Sequence, residues 1–242
     1  MMRLNQVADA SAISSTSSPL IQTRDLSRIY NANEPSEVRA LDGVTLSIEE
    51  GEVIAITGPS GSGKSTLLHL IGGMDSPNKG DIWFKGQEIG KLPERKLADF
   101  RRKEIGFIFQ SFYLIETLTV LENILAPLIP YGISASDRLY AKELLKIAKL
   151  DHRINAYPRQ LSGGEKQRTA ISRALINQPS VILADEPTGY LDTKTGNTIV
   201  SLLKSFNGSQ GTTVLIVTHD LRIAAQANRI LELQDGRLFQ DR

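Results

Sequence analysis

The chain has 242 residues, 40% of them hydrophobic and 23% charged, which suits one large globular domain or a core carrying a small subdomain. Its 28 lysines and arginines against 27 acidic residues give a formal charge of +1, without the basic excess that marks most nucleic-acid binders. The lack of cysteine excludes disulfide scaffolds, zinc ribbons and thiol chemistry. No apolar run approaches the roughly 20 residues that span a bilayer; the longest, Leu118 to Pro130, is broken by Glu122, Asn123 and Pro127.

In chain order, residues 1–19 are rich in Ser and Ala, lack the apolar stretch of a secretory signal and read as a disordered tail. Leu20 to Tyr30 reads as a strand, Asn31 to Ser36 as a polar turn and Val44 to Ile48 as a second strand. Glu52 to Thr57 is a short apolar run ending in a glycine-rich loop, the pattern of a buried central strand. A helix from Lys64 to about Ile71 follows, stopped by Gly72 and Gly73. Asp81 to Lys85 and Ile105 to Phe109 read as further strands.

From Thr119 to Leu150 the pattern turns helical. Ser136 is the expected N-cap for Leu139 to Leu150, where Leu144, Ile147 and Ala148 recur on one face. Another helix should run from about Gly163 to Ile176 and stop before Pro179. Val181 to Ala184 and Thr213 to Val217 are continuous apolar strands. Ile230 to Leu233 and Arg237 to Phe239 flank Asp235-Gly236, a hairpin signal. Strands alternating with helices predict an α/β fold with a mainly parallel sheet covered on both faces. The helical stretch over about 111–160 interrupts that alternation and is expected to form an inserted subdomain within a unit spanning 20–242.

Three motifs carry chemistry. Gly58-Pro59-Ser60-Gly61-Ser62-Gly63-Lys64-Ser65 fits G-x-x-x-x-G-K-S/T between a strand and a helix. Its glycines let backbone N–H groups approach phosphate, Lys64 would reach the β- and γ-phosphates, and Ser65 would offer a hydroxyl to Mg²⁺. Val181 to Glu186 is an apolar strand ending in two carboxylates. Asp185 is placed to hold Mg²⁺ through its water shell and Glu186 to polarise an attacking water as a general base. Leu161-Ser162-Gly163-Gly164-Glu165 opens a helix and resembles an N-cap with a second anion site.

Tyr30, the phosphate loop, Gln110, LSGGE at 161–165, LADE at 183–186, TGxLD at 188–192 and His219 occur in one order over nearly the whole chain. Together they resemble the ATP-binding subunit of ABC transporters. IGFIFQ (105–110), LTVLENI (118–124) and DEPTGYLD (185–192) resemble the branch that includes lipoprotein-releasing, macrolide-export and antimicrobial-peptide-resistance systems.

The resemblance implies a P-loop NTPase core with a small antiparallel β subdomain and the inserted helical subdomain. It implies ATP and Mg²⁺ as ligands, with Tyr30 stacked on adenine and the loop Gly58 to Thr66 around the triphosphate. Gln110 would contact Mg²⁺ or the water, His219 the γ-phosphate, and Asp192 would couple two sites. Ser162, Gly163 and Gly164, with Glu165 closing the motif, would touch nucleotide bound by the opposite subunit of a head-to-tail homodimer. Catalysis would rest on Glu186, His219, Gln110 and Lys64. The implied partners are transmembrane permease subunits and, beyond them, a periplasmic or extracytoplasmic adaptor, with no nucleic acid. The implied location is the cytoplasmic face of the cell membrane. A non-transport ATPase of the same class, in DNA repair or cell-division signalling, is the alternative. Two departures stand out: Glu165 where many members have Gln, and Tyr190 where a small or amide residue is usual, with an altered communication between sites as its expected effect.

Overall fold

The computed structural model describes residues 18–242, so most of the tail expected over 1–19 lies outside the described residues. The chain runs β1 (Ile21–Tyr30), β2 (Val38–Ile48), β3 (Val53–Thr57), α1 (Lys64–Ile71), β4 (Lys79–Phe84), β5 (Gln87–Glu88), α2 (Glu94–Glu104) and β6 (Ile105–Ile108). It continues through α3 (Val120–Leu125), α4 (Ala135–Ile147), α5 (Gly163–Leu175), β7 (Val181–Asp185), α6 (Thr193–Gln210), β8 (Thr213–Val217), α7 (Leu221–Ala224), β9 (Arg229–Gln234) and β10 (Arg237–Asp241).

Six strands form the central sheet in the order β10-β9-β3-β8-β7-β6. All pair in parallel except β10, which returns antiparallel on β9 through the expected Asp235-Gly236 turn. Both turn residues have positive φ (48° and 77°), as a tight primed hairpin turn requires. A second, antiparallel sheet is ordered β2-β1-β4-β5.

The two-residue side-chain period divides each central strand between two cores. Ile182, Ala184, Val214 and Ile216 join the cluster packed on α3 to α6. Their neighbours Val181, Leu183, Leu215 and Val217 join the cluster containing α1 and the antiparallel sheet. The sheet is thus covered on both faces, which is why β3, β7 and β8 read as unbroken apolar runs rather than alternating ones.

Local chemistry moves some expected boundaries. Ser134, not Ser136, caps α4: its hydroxyl accepts from the Asp137 amide, and the Asp137 carboxylate takes the Ser134 amide at 2.8 Å. That box needs a carboxylate three residues on, and Ser136 has Leu139 there. The buried side of α4 is Ala141, Leu144 and Leu145, while Ile147 is 47% exposed. The second strand begins at Val38 rather than Val44.

One buried polar residue holds the segment before α3. Asn123 is fully buried, and its amide donates to the carbonyls of Ile115, Leu118 and Thr119 at 3.1, 2.9 and 3.0 Å. Its Oδ1 accepts from the Ile115 amide at 2.7 Å. Replacing it leaves those buried backbone groups without partners. Asn123→Ala should lower the unfolding free energy by about 3 kcal/mol, read as a reduced urea midpoint.

Candidate functional site

A cleft of about 500 Å³ lies where β3 gives way to α1. The β1–β2 hairpin contributes Tyr30, Val38 and Ala40 to it, the glycine-rich loop contributes Gly58, Ser60, Gly61, Gly63, Lys64, Ser65 and Thr66, and the ends of β7 and β8 contribute Glu186, Val217 and His219. The loop can take only glycine at two points. A Cβ on Gly58 (φ 138°) would stand 2.1 Å from the Leu233 carbonyl oxygen, and one on Gly63 (φ 97°) 2.2 Å from that of Ala40. Gly63 is also the N-cap of α1 and offers no side-chain cap, so the helix begins with backbone donors open to an anion.

Three polar side chains of the loop, Ser62, Lys64 and Ser65, turn back onto the protein. Lys64 Nζ donates to the carbonyls of Gly58 and Pro59 at 3.0 and 2.7 Å, folded back over the loop that it closes. Ser65 Oγ donates to Asp185 Oδ1 at 3.0 Å, joining the start of α1 to the end of β7. Ser62 is buried and its hydroxyl has no partner.

Glu186 follows Asp185 with φ 47°, a left-handed conformation that costs a non-glycine residue about 1–2 kcal/mol. Its amide is held by the Val217 carbonyl at 3.0 Å, so the tight turn is fixed by β8. The result aims the carboxylate at the cleft: Oε1 lies 2.9 Å from His219 Nδ1, and Oε2 is buried with no hydrogen-bond partner. A buried carboxylate oxygen lacking a donor is costly unless something else fills the place. His219 itself is exposed.

Gln110, Asp185, Ser162, Gly163, Gly164, Glu165 and Asp192 do not line the cleft. Asp185 reaches it through Ser65; Gln110, Gly163, Gly164 and Asp192 meet around the loop after β7, and Ser162 and Glu165 bond to each other at the start of α5. Gln110 packs on Gly189 so closely that a Cβ there would stand 2.5 Å from its Nε2. A Cβ on Gly163 would meet Leu191 at 3.2 Å, and one on Gly164 would meet Thr195 at 2.6 Å. Asp192 caps α6, accepting from the Thr195 amide at 3.0 Å. Tyr190 is 66% exposed and lines a shallow groove with Phe112, Tyr113 and Lys166.

Ser162 caps α5 as expected, and the structure gives Glu165 a local reason. Its carboxylate accepts from the Ser162 amide and hydroxyl, both at 2.8 Å, and from Arg153 Nε at 2.9 Å. Burial alone would raise this carboxyl; the Ser162 donors and the Arg153 guanidinium outweigh it and hold the group at about 2 against an ordinary 4.5.

Sequence reading missed Val38 and Ala40, which wall the cleft beside Tyr30, because it started β2 too late. The apolar–polar–apolar order of Val38-Arg39-Ala40 was the available signal. It also missed Arg173, whose guanidinium reaches from α5 to the carbonyls of Phe112 and Tyr113 and steadies the segment after Gln110. No local pattern marks that contact.

A glycine-cradled helix start, a Ser–Asp pair and a glutamate poised at a parallel-sheet edge define a P-loop NTPase. The family model described as ABC transporter matches residues 41–189, and the chain belongs to that family as one of its ATP-binding subunits. An uncharacterised ABC transporter ATP-binding protein of Methanocaldococcus jannaschii is 44% identical over 225 residues, 91% of this chain and 98% of the relative. The macrolide export ATP-binding/permease protein MacB of Hyphomonas neptunium is 45% identical over 92% of this chain, which spans 34% of that larger protein. Among solved structures, a dimeric ATP-binding cassette in a post-hydrolysis state, bound to ADP and Pi, superposes with a TM-score of 0.84 at 43% identity, covering 92% of this chain and 97% of that one.

The Glu165 carboxylate has a pH signature. Its folded-state value lies below the unfolded one, so its contribution is complete above about pH 4.5 and is lost as pH falls toward about 2. Glu165→Gln keeps an acceptor for Ser162 but drops the ion pair with Arg153. The urea midpoint of the unaltered protein should therefore fall more steeply than that of Glu165→Gln as pH drops from about 5 to about 2.5; parallel curves would count against this account.

Proposed function

We propose that this chain binds Mg-ATP between Tyr30 and the glycine-rich loop and hydrolyses it as half of a head-to-tail homodimer. In this reading it powers transmembrane permease subunits from the cytoplasmic face of the membrane, in export or mechanical transmission. The observation that carries the reading is the Glu186 carboxylate, with one oxygen 2.9 Å from His219 Nδ1 and the other buried and unpartnered in the loop's own cleft.

The roles follow from chemistry. Tyr30 supplies a ring for the adenine, and Lys64 leaves its two carbonyls to pair with the β- and γ-phosphates, while Thr66 and the loop amides meet the remaining oxygens. Glu186 Oε2 takes a proton from the attacking water as the water oxygen bonds to the γ-phosphorus and the bond to ADP breaks. His219 orients Glu186 and faces the γ-phosphate.

Among the described residues no group of three or more acidic, His or Cys side chains is placed to hold a metal ion by itself. A hydroxyl and a carboxylate beside a triphosphate suit Mg²⁺, which keeps waters and substrate oxygens in its shell. Ser65 and Asp185, with Gln110 two residues past β6, would hold it, and when bound it would offset charge on the β- and γ-phosphates.

The dimer accounts for the signature residues Ser162 to Gly164 standing outside their own subunit's cleft. A solved relative is dimeric with ADP and Pi, and another relative's name joins ATP-binding to permease, which supports both partner types. Among the described residues no helix is long and apolar enough to cross a membrane. An adaptor beyond the membrane completes the assembly in this reading, and nucleic acid has no part in it.

Glu186→Gln should cut turnover by about 10²–10⁴-fold while ATP binding persists and the ATP-bound dimer accumulates, measured by phosphate release, calorimetry and size-exclusion chromatography. Turnover at the unaltered rate would sink the assignment. The base-side wall yields a second expectation. Beyond the Tyr30 hydroxyl, Tyr30, Val38 and Ala40 offer no side-chain donor or acceptor, so the base is recognised by stacking rather than by its edges. GTP should bind within about tenfold of ATP, since only sites built to hydrogen-bond a group reject its absence strongly; a hundredfold preference in a competition titration would contradict this.

A further inference from the structure

The Tyr30 ring is held at its edge and on one face by side chains that the catalytic reading does not use. Its hydroxyl donates to Asp75 Oδ2 at 2.8 Å. Asp75 Oδ1 lies 2.8 Å from Arg28 Nη2. The Arg28 guanidinium in turn sits 4.6 Å from the Tyr30 ring centroid, closing a triangle. Both charged side chains are about four-fifths buried, at 22% and 21% exposure. Arg28 Nε is buried with no acceptor, a cost that a solvated surface arginine avoids.

The same turn laces the backbone of β1. The Asn78 amide donates to the Ser27 carbonyl at 2.9 Å, and Asn78 Oδ1 accepts from the Ile29 amide at 2.7 Å and from Arg28 Nη1 at 3.4 Å. Asp75 stands four residues after the end of α1, the helix that begins with Lys64. One short turn therefore ties the aromatic side of the cleft to the far end of the phosphate-binding helix.

We propose that Arg28 and Asp75 are positioning residues that hold Tyr30 as a pre-set stacking platform for the nucleotide base; this rests on the reading of Tyr30 given above. With the guanidinium over one ring face, only the opposite face is open to a base, and the cation–π contact and the Asp75 hydrogen bond fix the ring's angle before ligand arrives. A ring already ordered spares the ordering cost of binding, which for one side chain corresponds to about 2- to 12-fold in affinity. The contribution falls on the base alone and leaves the triphosphate contacts untouched.

Calorimetric titrations with ATP and with inorganic tripolyphosphate, each with Mg²⁺, separate the two ends of the cleft. Asp75→Ala and Arg28→Met should each raise the Kd for ATP by about 2- to 12-fold and leave that for tripolyphosphate unchanged. Asp75→Asn, which keeps an acceptor for the phenol, should recover part of the loss. In a Tyr30→Ala background neither substitution should have any further effect. If Tyr30→Ala weakens ATP selectively while Asp75→Ala and Arg28→Met do not, the positioning role is wrong and the platform stands. Equal weakening of both ligands by Asp75→Ala would make the triangle a purely structural tie and overturn the proposal. If Tyr30→Ala itself spares ATP, the platform reading falls and the positioning role falls with it.

Discussion

The cleft depends on how closely ordinary backbone approaches the glycine-rich loop from two sides. The Leu233 carbonyl of β9 presses on Gly58, and the Ala40 carbonyl of β2 presses on Gly63. The Gly236 amide donates to the Ser62 carbonyl at 3.2 Å, and the Gly236 carbonyl accepts from the Asp42 amide at 2.9 Å, so the β9–β10 turn bridges loop and β2. Neither approach leaves room for a side chain, and both glycines have backbone angles that L-residues avoid. The loop is thus shaped by its packing before any phosphate arrives, and its open N–H groups are a consequence of that shape.

The two-core arrangement explains why such a strained loop is stable. A parallel sheet with buried faces supplies a rigid edge, and chemistry gathers where β3, β7 and β8 end. Glu186 shows how that rigidity fixes the direction of a side chain. Its left-handed backbone is held by β8, itself buried along its whole length, and the held backbone aims the carboxylate.

How much of this could be read from residues alone follows from which signals are local. The loop, β3, β7 and β8 were legible because a glycine-rich motif and unbroken apolar runs each require one kind of structure. Helix α1 was read at its observed bounds, Lys64 to Ile71. Helix α2 was missed because it buries only Leu97, and its charged sequence carries almost no apolar period. Helix α6 was missed for a different reason: Thr, Ser, Asn and Gly are weak helix formers, and its helicity comes from burying Ile199, Val200, Leu203 and Phe206 and from the Asp192 cap. The Ser134 cap escaped because the deciding group, Asp137, lies three residues away. The side chains grouped in the cleft were largely legible, since all but Val38 and Ala40 sit in or beside a motif or at the end of an apolar strand. The Arg28–Asp75 support was not, because it joins residues 47 positions apart through no pattern that either end displays.

The loop after β7 is where the separate parts of the structure meet. Within the ten residues from Glu186 to Thr195, the loop and the first turn of α6 carry Glu186, pack Gly189 under Gln110, seat Leu191 on Gly163, cap α6 with Asp192 and place Thr195 on Gly164. Glu186 cannot shift without moving the Glu186–Gly189 turn, because the Gly189 amide is bonded to the Glu186 carbonyl at 3.0 Å. Gln110 and the start of α5 lie against that same turn and its continuation, with no room for a Cβ at Gly189 or Gly164 unless a neighbour moves. Small residues at 163, 164 and 189 matter to this packing: their missing Cβ atoms are what let three elements touch. Tyr190 fits because its ring points outward, into a groove with Tyr113 and Lys166, and leaves those contacts intact. A bulky residue is tolerated at that position because its neighbours on either side, Gly189 and Leu191, make the close packing contacts.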